Sequence, residues 1–391
     1  MSLYFVGIDI SKYKHDCCII SAADQKVVSK VTIKNNKAGF NELLTIIHSL
    51  ANPADIRIGF ESTAHYALNL ELFLENAHHS FMEVNPVLIK EYKKSTTLRR
   101  TKTDSVDCES IARWLITVEY KPHSKGFYHA YSLKSLTRLR DRLIRQRSFY
   151  LVKITNVLDH TFPEFKPFFN ERLSKTALYL LENYGSAEKM ARMNSASYDK
   201  LRCISRGKFS IQQFLRLKEL AANTVGVNNS IFDLELNTLL TLYKSLSDEI
   251  NTLETEIIKL IEEVHPHYMS IPGIGPISSA VIYAEYGDIS NFSNPGQMLA
   301  FAGIEPGIND SGTESHGGRM VKHGSSQLRY VLLNACLPLI RFDLTFATYY
   351  EKKRAEGKKH RVAITHVAKK LIRVIYALER QDVDFNAQKL R

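Results

Sequence analysis

Residues 3–11 read LYFVGIDIS, an almost wholly apolar run that reaches Asp9. A strand apolar on both faces belongs at the centre of a sheet covered by helices. Residues 56–63, IRIGFEST, repeat the pattern, an apolar run and then Glu61. Residues 102–112, KTDSVDCESIA, carry Asp104 and Asp107 three apart in a helical stretch, so these two share one face. Four carboxylates brought together repel unless they hold hard divalent cations, which take oxygen ligands. The chain has 391 residues, 52 Lys+Arg against 41 Asp+Glu, and a formal net charge of +11. Cations held in so basic a chain point to chemistry on nucleic-acid phosphate. Charge alone favours a polyanionic partner without proving one.

Working outward, residues 3–34 divide into three strands, YFVGIDI, DCCIISA and KVVSKVTIK, with a turn-like ADQK between the last two. Residues 39–50 carry apolar residues at helical spacing, IRIGFE is a fourth strand, HYALNLELFLENA a helix and HSFMEVNP a short fifth strand. Three strands in a meander, then alternating helices and strands, is the ribonuclease H-like arrangement. That plan puts metal-binding carboxylates on the first strand, the fourth strand and a late helix, where Asp9, Glu61 and Asp104/Asp107 fall. Residues 90–102, KEYKKSTTLRRTK, precede the acidic helix. A solvated loop is the bland reading; beside the carboxylates, Lys93, Lys94, Arg99, Arg100 and Lys102 favour phosphate contact.

Two long amphipathic stretches follow. In residues 130–160, Leu133, Leu136, Leu139, Leu143 and Ile144 form the apolar stripe, and Lys134, Arg138, Arg140, Arg142, Arg145 and Arg147 crowd the rest. Residues 232–264 repeat the spacing with Leu236, Leu240, Ile250 and Ile257 among others, which suits a helical hairpin or coiled coil, whether packed as core or used for self-association. Residues 161–231 between them are punctuated by Pro, Gly and Asn. At 270–288, SIPGIGPISSAVIYAEYGD has the helix-hairpin-helix pattern, where Gly273 and Gly275 let backbone approach a phosphate; an ordinary helix–helix turn is the alternative. Residues 306–324 are rich in Gly, Ser and Asn and read as a loop, with Ser311, Arg319, Lys322 and His323 in it. Residues 352–361, KKRAEGKKHR, form a second basic run, either a solvated surface or a nucleic-acid contact.

Three classes are disfavoured. The five cysteines form no CxxC pair or Cys/His set, which argues against zinc and for reduced thiols in a cytoplasmic protein. The N-terminus lacks the pattern of a signal peptide, and no apolar stretch is long enough to span a bilayer.

GIDIS, GFESTAHY and RRTKTDSVDCESIARWL resemble the N-terminal DEDD domain of a bacterial insertion-sequence transposase family, whose members are described as bridge-RNA-guided recombinases. The blocks SIPGIGPISSAVIYAEYGD and LAFAGIEPGINDSGTESHGGRMVKHGSSQLRYVLLNA resemble that family's C-terminal transposase domain. The resemblance covers roughly 1–120 and 265–380, in the same order. It implies three parts: an α/β RuvC-like catalytic domain over 1–120, a helical or coiled-coil linker over 121–264, and a mostly α C-terminal domain over 265–391. It implies Mg²⁺, two ions per site, on Asp9, Glu61, Asp104 and Asp107, and a nucleophilic serine that GIEPGINDSG places at Ser311. The resemblance further implies DNA as substrate, a structured guide RNA, and a homo-oligomer in which one subunit's carboxylates serve another's serine.

From the residues alone, Ser315, Ser325, Ser326, Ser278 and Ser279 compete with Ser311, and Arg319 and Lys322 are candidates for holding the scissile phosphate. A hydrolytic junction-resolving nuclease would use the same carboxylates with water, but needs no second block. A sugar-kinase-like ATPase would follow GIDIS with a Gly/Thr-rich loop, which SKYKHD is not. A non-catalytic nucleic-acid-binding protein would leave the carboxylates unexplained.

Overall fold

A computed structural model describes residues 3–61, 66–96, 104–122, 127–170, 173–311, 314–320, 322 and 324–390, without the side chains of 104–105, 127–129, 306–311, 314–319 and 389–390. The chain divides into two compact units, Met1–Tyr128 and His129–Arg391.

The first unit is a mixed α/β domain. Strands β1 (Tyr4–Ile10), β2 (Lys14–Ser21) and β3 (Val27–Lys34) form an antiparallel meander, and β4 (Ile56–Glu61) and β5 (Phe81–Val84) extend it in parallel, in the order β3-β2-β1-β4-β5. This is the arrangement expected of a ribonuclease H-like sheet, with the apolar β1 at its centre. Helix α1 (Lys37–Leu50) starts where Asn36 accepts a hydrogen bond from the Gly39 amide. It and α2 (Leu68–Asn76) cover one face, where Val6, Ile8, Ile19, Ile58 and Phe60 are buried against Phe40, Leu43, Ile47 and Leu70. Helices α3 (Pro86–Thr96) and α4 (Asp104–Thr117) serve the other face, with Phe5, Val84, Ile89, Ile111 and Leu115 in one cluster and Cys18, Ile20, Cys108 and Ala112 in another. The basic stretch, for which a solvated loop was the bland alternative, is thus helical as far as Thr96; Pro86 at the first helical position supplies a preset φ and costs no hydrogen bond.

The second unit is largely helical. Its two amphipathic stretches are 35-residue helices, α5 (Phe127–Thr161) and α11 (Ser230–Val264). They run antiparallel: Leu133 packs with Ile257 and Ile261, Arg140 pairs with Glu254, and Ile154 and Val157 share a core with Leu236 and Leu240. At the far end, α6 (Phe165–Phe168), α7 (Lys175–Tyr184), α8 (Ala187–Ala191), α9 (Ser195–Ile204) and α10 (Ile211–Ala222) build that core together with the two long helices. Part of the punctuation of 161–231 is helix capping, with Asn194 and Asn229 as N-caps and Gly185 as the C-cap of α7; Ser174, Ser186 and Ser210 likewise accept from first-turn amides, and Gln213 completes a capping box with Ser210.

The C-terminal end is a helical cluster of α12 (Pro276–Tyr286), α13 (Pro295–Ala302), α14 (Ser326–Phe342), α15 (Leu344–Ala355) and α16 (His360–Gln381), whose core joins Tyr268, Ile282, Met298, Leu332, Phe346 and Leu371. The expected loop over 306–324 is instead mostly a two-stranded hairpin, β6 (Pro306–Ser311) paired antiparallel with β7 (Glu314–Met320). Its Gly, Asn, Asp and Ser are depleted in strands, so composition reads as loop, while cross-strand pairing decides the outcome. Among the described residues, no single helix is long and apolar enough to cross a membrane.

Candidate active site

Two glycines set the sheet face that carries Asp9 and Glu61. A Cβ on Gly7 would stand 2.3 Å from the Ala112 amide nitrogen and the Cys108 carbonyl oxygen of α4. One on Gly59 would stand 2.7 Å from a Leu115 methyl. Both glycines therefore face α4, and without side chains there the helix lies directly on β1 and β4. Side chains alternate along a strand, so Asp9 and Glu61, each two residues beyond its glycine, point to the same face. The parallel register pairs Ile8 with Phe60, which puts Asp9 and Glu61 at one level on neighbouring strands.

Helix α4 runs antiparallel to β1. Phe5 shares a cluster with Ile111, Trp114 and Leu115, whereas Gly7 lies against Cys108 and Ala112. Continuing that progression sets Asp9 under the first turn, where Asp104 and Asp107 stand. Acidic residues there are also favoured by the positive end of the helix dipole. Asp9, Glu61 and Asp107 are each half-buried, and the Asp104 side chain lies outside the described residues.

Asp107 is not idle. Its Oδ1 accepts a hydrogen bond of 2.6 Å from Lys93 Nζ on α3. Lys93, expected to touch phosphate, is thus paired with one of the candidate carboxylates, whereas Lys94 pairs on the surface with Glu91 at 2.6 Å. Arg99, Arg100 and Lys102 lie outside the described residues. Glu109 is off the Asp104/Asp107 face, but it links α4 to β3: Lys30 Nζ donates to its Oε2 at 2.8 Å and Arg113 Nε to its Oε1 at 2.8 Å. The Lys30 ammonium, followed by Arg113, holds its carboxyl below the usual range. Sequence reasoning missed Asp16, which β2 sets directly opposite Asp9 on the same face. Its carboxylate takes Thr32 Oγ1 and, at 3.2 Å, Lys14 Nζ. The strand alternation of KHDCCIIS, counted from a β1–β2 turn, was the available signal.

Among the described residues, no three His, Cys, Asp or Glu converge tightly enough to hold a metal ion. The donor chemistry nonetheless fits a hard cation: carboxylate oxygens line one face, and the Lys93 ammonium against Asp107 marks a position that takes positive charge.

The serine block is in the second unit. Ser311 is the last residue of β6 and pairs across the hairpin with Glu314; its side chain and that of Arg319 on β7 are outside the described set. Lys322 is exposed with φ 55°. His323 lies outside the described residues, and His316 is on β7 opposite Asn309. Of the rival serines, Ser325 caps α14 by accepting from the Leu328 amide, and Ser279 is fully buried inside α12. Gly273 has φ +93°, and a Cβ there would meet Pro338 Cγ of α14 at 2.6 Å, so packing requires this glycine. Gly275 is the N-cap of α12, with open space where a side chain would be.

Comparison with known proteins agrees with both blocks. A family model described as "Transposase" matches residues 6–163, and one described as "Transposase IS116/IS110/IS902 family" matches residues 266–351. Together they span more than half of the chain. The insertion element IS900 uncharacterized 42 kDa protein of Mycobacterium paratuberculosis is 26% identical over 395 residues, covering 96% of this chain and 95% of its own. The pilin gene-inverting protein of Moraxella bovis is 24% identical, covering 99% of this chain and 98% of its own. The transposase for insertion sequence element IS1111A of Coxiella burnetii is 25% identical, covering 66% and 59%. Matched at both ends and along its length, the chain belongs to the IS116/IS110/IS902 family of transposases, and it is an enzyme of transposition or recombination.

Proposed function

We propose that this transposase breaks and rejoins DNA strands through a serine ester at Ser311, with Mg²⁺ held by Asp9, Glu61, Asp104 and Asp107. The observation that carries this reading is the common level of Asp9 and Glu61 on the sheet face that packs against α4, toward its first turn. Bound there, two ions would stabilise the entering and leaving oxygens of a phosphoryl transfer. The Ser311 hydroxyl forms a P–O bond as the bond to the departing strand breaks, its proton passes to that strand's hydroxyl oxygen, and rejoining reverses the step. Bond count is conserved, so no nucleotide cofactor is consumed.

A serine hydroxyl needs activation at neutral pH, and the sequence offers no convincing Ser-His-Asp set around Ser311. The reading therefore joins the carboxylates to the serine across subunits of a homo-oligomer, a dimer or tetramer, with α5 and α11 as the self-associating elements. Rejoining is supported over hydrolysis by the relative named as a pilin gene-inverting protein, since inversion requires that cut ends be resealed. The same reading keeps the three-part division 1–120, 121–264 and 265–391 and a cytoplasmic site of action. It treats 270–288 as a helix-hairpin-helix with Gly273 and Gly275 near phosphate, has Lys93, Lys94, Arg99, Arg100, Lys102, Arg319 and Lys322 contact nucleic acid, and has a structured RNA choose donor and target by base pairing.

The test incubates the full chain with Mg²⁺, co-purified RNA and labelled element-junction DNA. A covalent protein–DNA adduct lost in Ser311→Ala and Asp9→Ala is expected, and ribonuclease treatment should abolish it. Cleavage that survives Ser311→Ala without an adduct would make the enzyme a hydrolytic nuclease and end the serine reading.

A further inference from the structure

The hairpin of α15 and α16 carries a cleft that neither the carboxylates nor Ser311 uses. It has a volume of about 340 Å³ and is lined by Leu344, Thr345, Thr348, Tyr349, Lys352 and Lys370. That size accommodates one small organic group. Thr345, Thr348, Tyr349 and Lys352 recur at three- and four-residue spacing, which puts them on one face of α15. Leu344 is 71% exposed at the mouth, although its neighbour Asp343 is buried, capping α15 by accepting from the Phe346 amide at 3.0 Å.

Lys370 reaches the cleft from α16. Its Nζ lies 5.2 Å from the ring centroids of both Phe346 and Tyr349, so two aromatic rings attract the ammonium. Burial lowers its pKa, with the Asp343 carboxylate opposing. Lys353 pairs with Glu356 at 2.9 Å and stands 5.5 Å from the Tyr349 centroid. The site therefore combines an apolar wall, the hydroxyls of Thr345, Thr348 and Tyr349, and two cations, of which Lys352 opens the basic run KKRAEGKKHR.

We propose that this cleft takes one unpaired nucleotide of a nucleic-acid strand, its base against Leu344 and Tyr349 and its phosphate between Lys352 and Lys370. A diffuse basic surface would need neither the concavity nor the exposed leucine, and bases stacked within a duplex cannot enter it. Cations tracking the backbone beside an apolar or aromatic base platform are the usual means of holding single strands. The proposal assumes only that the enzyme works on nucleic acid, so it stands or falls separately from the serine and the carboxylates.

The test is fluorescence anisotropy of the full chain with three probes: oligothymidylate, oligouridylate and a blunt DNA duplex. Leu344→Ser removes the wall, and Thr345→Leu/Thr348→Leu fills the cleft, both without changing charge. Lys358→Glu/Lys359→Glu is the control, altering charge on the same hairpin outside the cleft. The two cleft variants should weaken single-strand binding about tenfold and leave duplex binding within about twofold, whereas the control should weaken both. Loss confined to oligothymidylate assigns the nucleotide to DNA, and loss confined to oligouridylate assigns it to RNA. Unchanged binding of both single strands at unchanged Tm, or equal loss for single strand and duplex, overturns the proposal.

Discussion

Lys93 Nζ donates to Asp107 Oδ1 at 2.6 Å, so a cation from α3 already sits on one of the carboxylates proposed to hold metal. Both side chains are largely withdrawn from solvent, which makes the pair worth more than a surface ion pair.

Lys93→Met should expose this arrangement. Without divalent ions the variant is expected to lose roughly 1 kcal/mol, because Asp107 keeps its charge and loses its partner. With Mg²⁺ it should gain more Tm than the unmodified protein, since binding to the folded state stabilises in proportion to affinity and the ammonium no longer competes. Differential scanning fluorimetry across a Mg²⁺ series reads this out, and identical Tm gains in both proteins would remove Lys93 from the site.

Gly7→Ala should be costly although no acidic residue is touched. The new methyl meets backbone atoms of Ala112 and Cys108, which cannot rotate away. A destabilisation of about 1–3 kcal/mol is expected from overpacking, together with a fall in strand transfer of about 100-fold as α4 lifts its first turn from Asp9. Urea denaturation and adduct yield measure the two effects; a stable protein with full activity would refute the contact.

Glu71 of α2 is buried, and burial followed by its hydrogen bond and charge interaction with Glu83 pushes its carboxyl up to about 9. The folded state thus retains a proton that the unfolded chain releases near 4.5. The associated stability is fully present below pH 4.5 and is lost as pH rises towards 9. Glu71→Gln keeps the neutral form at every pH, so it should stabilise by on the order of 1–3 kcal/mol at pH 7 and by more at pH 8.5. A Tm difference that does not grow between pH 5 and 8.5 would contradict the protonated pair.

Arg138 forks onto Glu285 through Nε at 3.0 Å and a terminal nitrogen at 3.1 Å, and Glu285 is only 5% exposed. Arg138→Leu should cost about 2–4 kcal/mol by stranding a buried carboxylate, and Arg138→Leu/Glu285→Gln should recover most of that loss. Equal destabilisation in the single and double variants, measured by chemical denaturation, would show that packing and not charge dominates.

The basic residues of α5 illustrate what a linear reading misses. In the sequence they only crowd the polar side of an amphipathic stretch, whereas in the structure Arg138 pairs with Glu285, Arg140 with Glu254 and Arg145 with Asp141. Lys93 is the parallel case in the first unit. The meander, the parallel strands and the long helices were legible because their periodicities lie within single segments. The hairpin holding Ser311 was not, because Gly, Asn, Asp and Ser declare a turn, and only pairing with a second strand makes them extended.

By itself the sequence determined the ordering of strands in the first unit, the two long helices, the central place of β1, and the positions of Asp9 and Glu61 at the ends of two apolar runs. Alternation and helical spacing are local, and they survive in a linear reading. Only the tertiary structure decided that Gly7 and Gly59 let α4 lie on the sheet, that Asp16 faces Asp9, and that Lys93 meets Asp107. Those relationships depend on where the chain reverses and which backbones approach within contact distance; strand alternation offers Asp16 once the β1–β2 turn is known, but no spacing encodes the glycine contacts or the Lys93 pair.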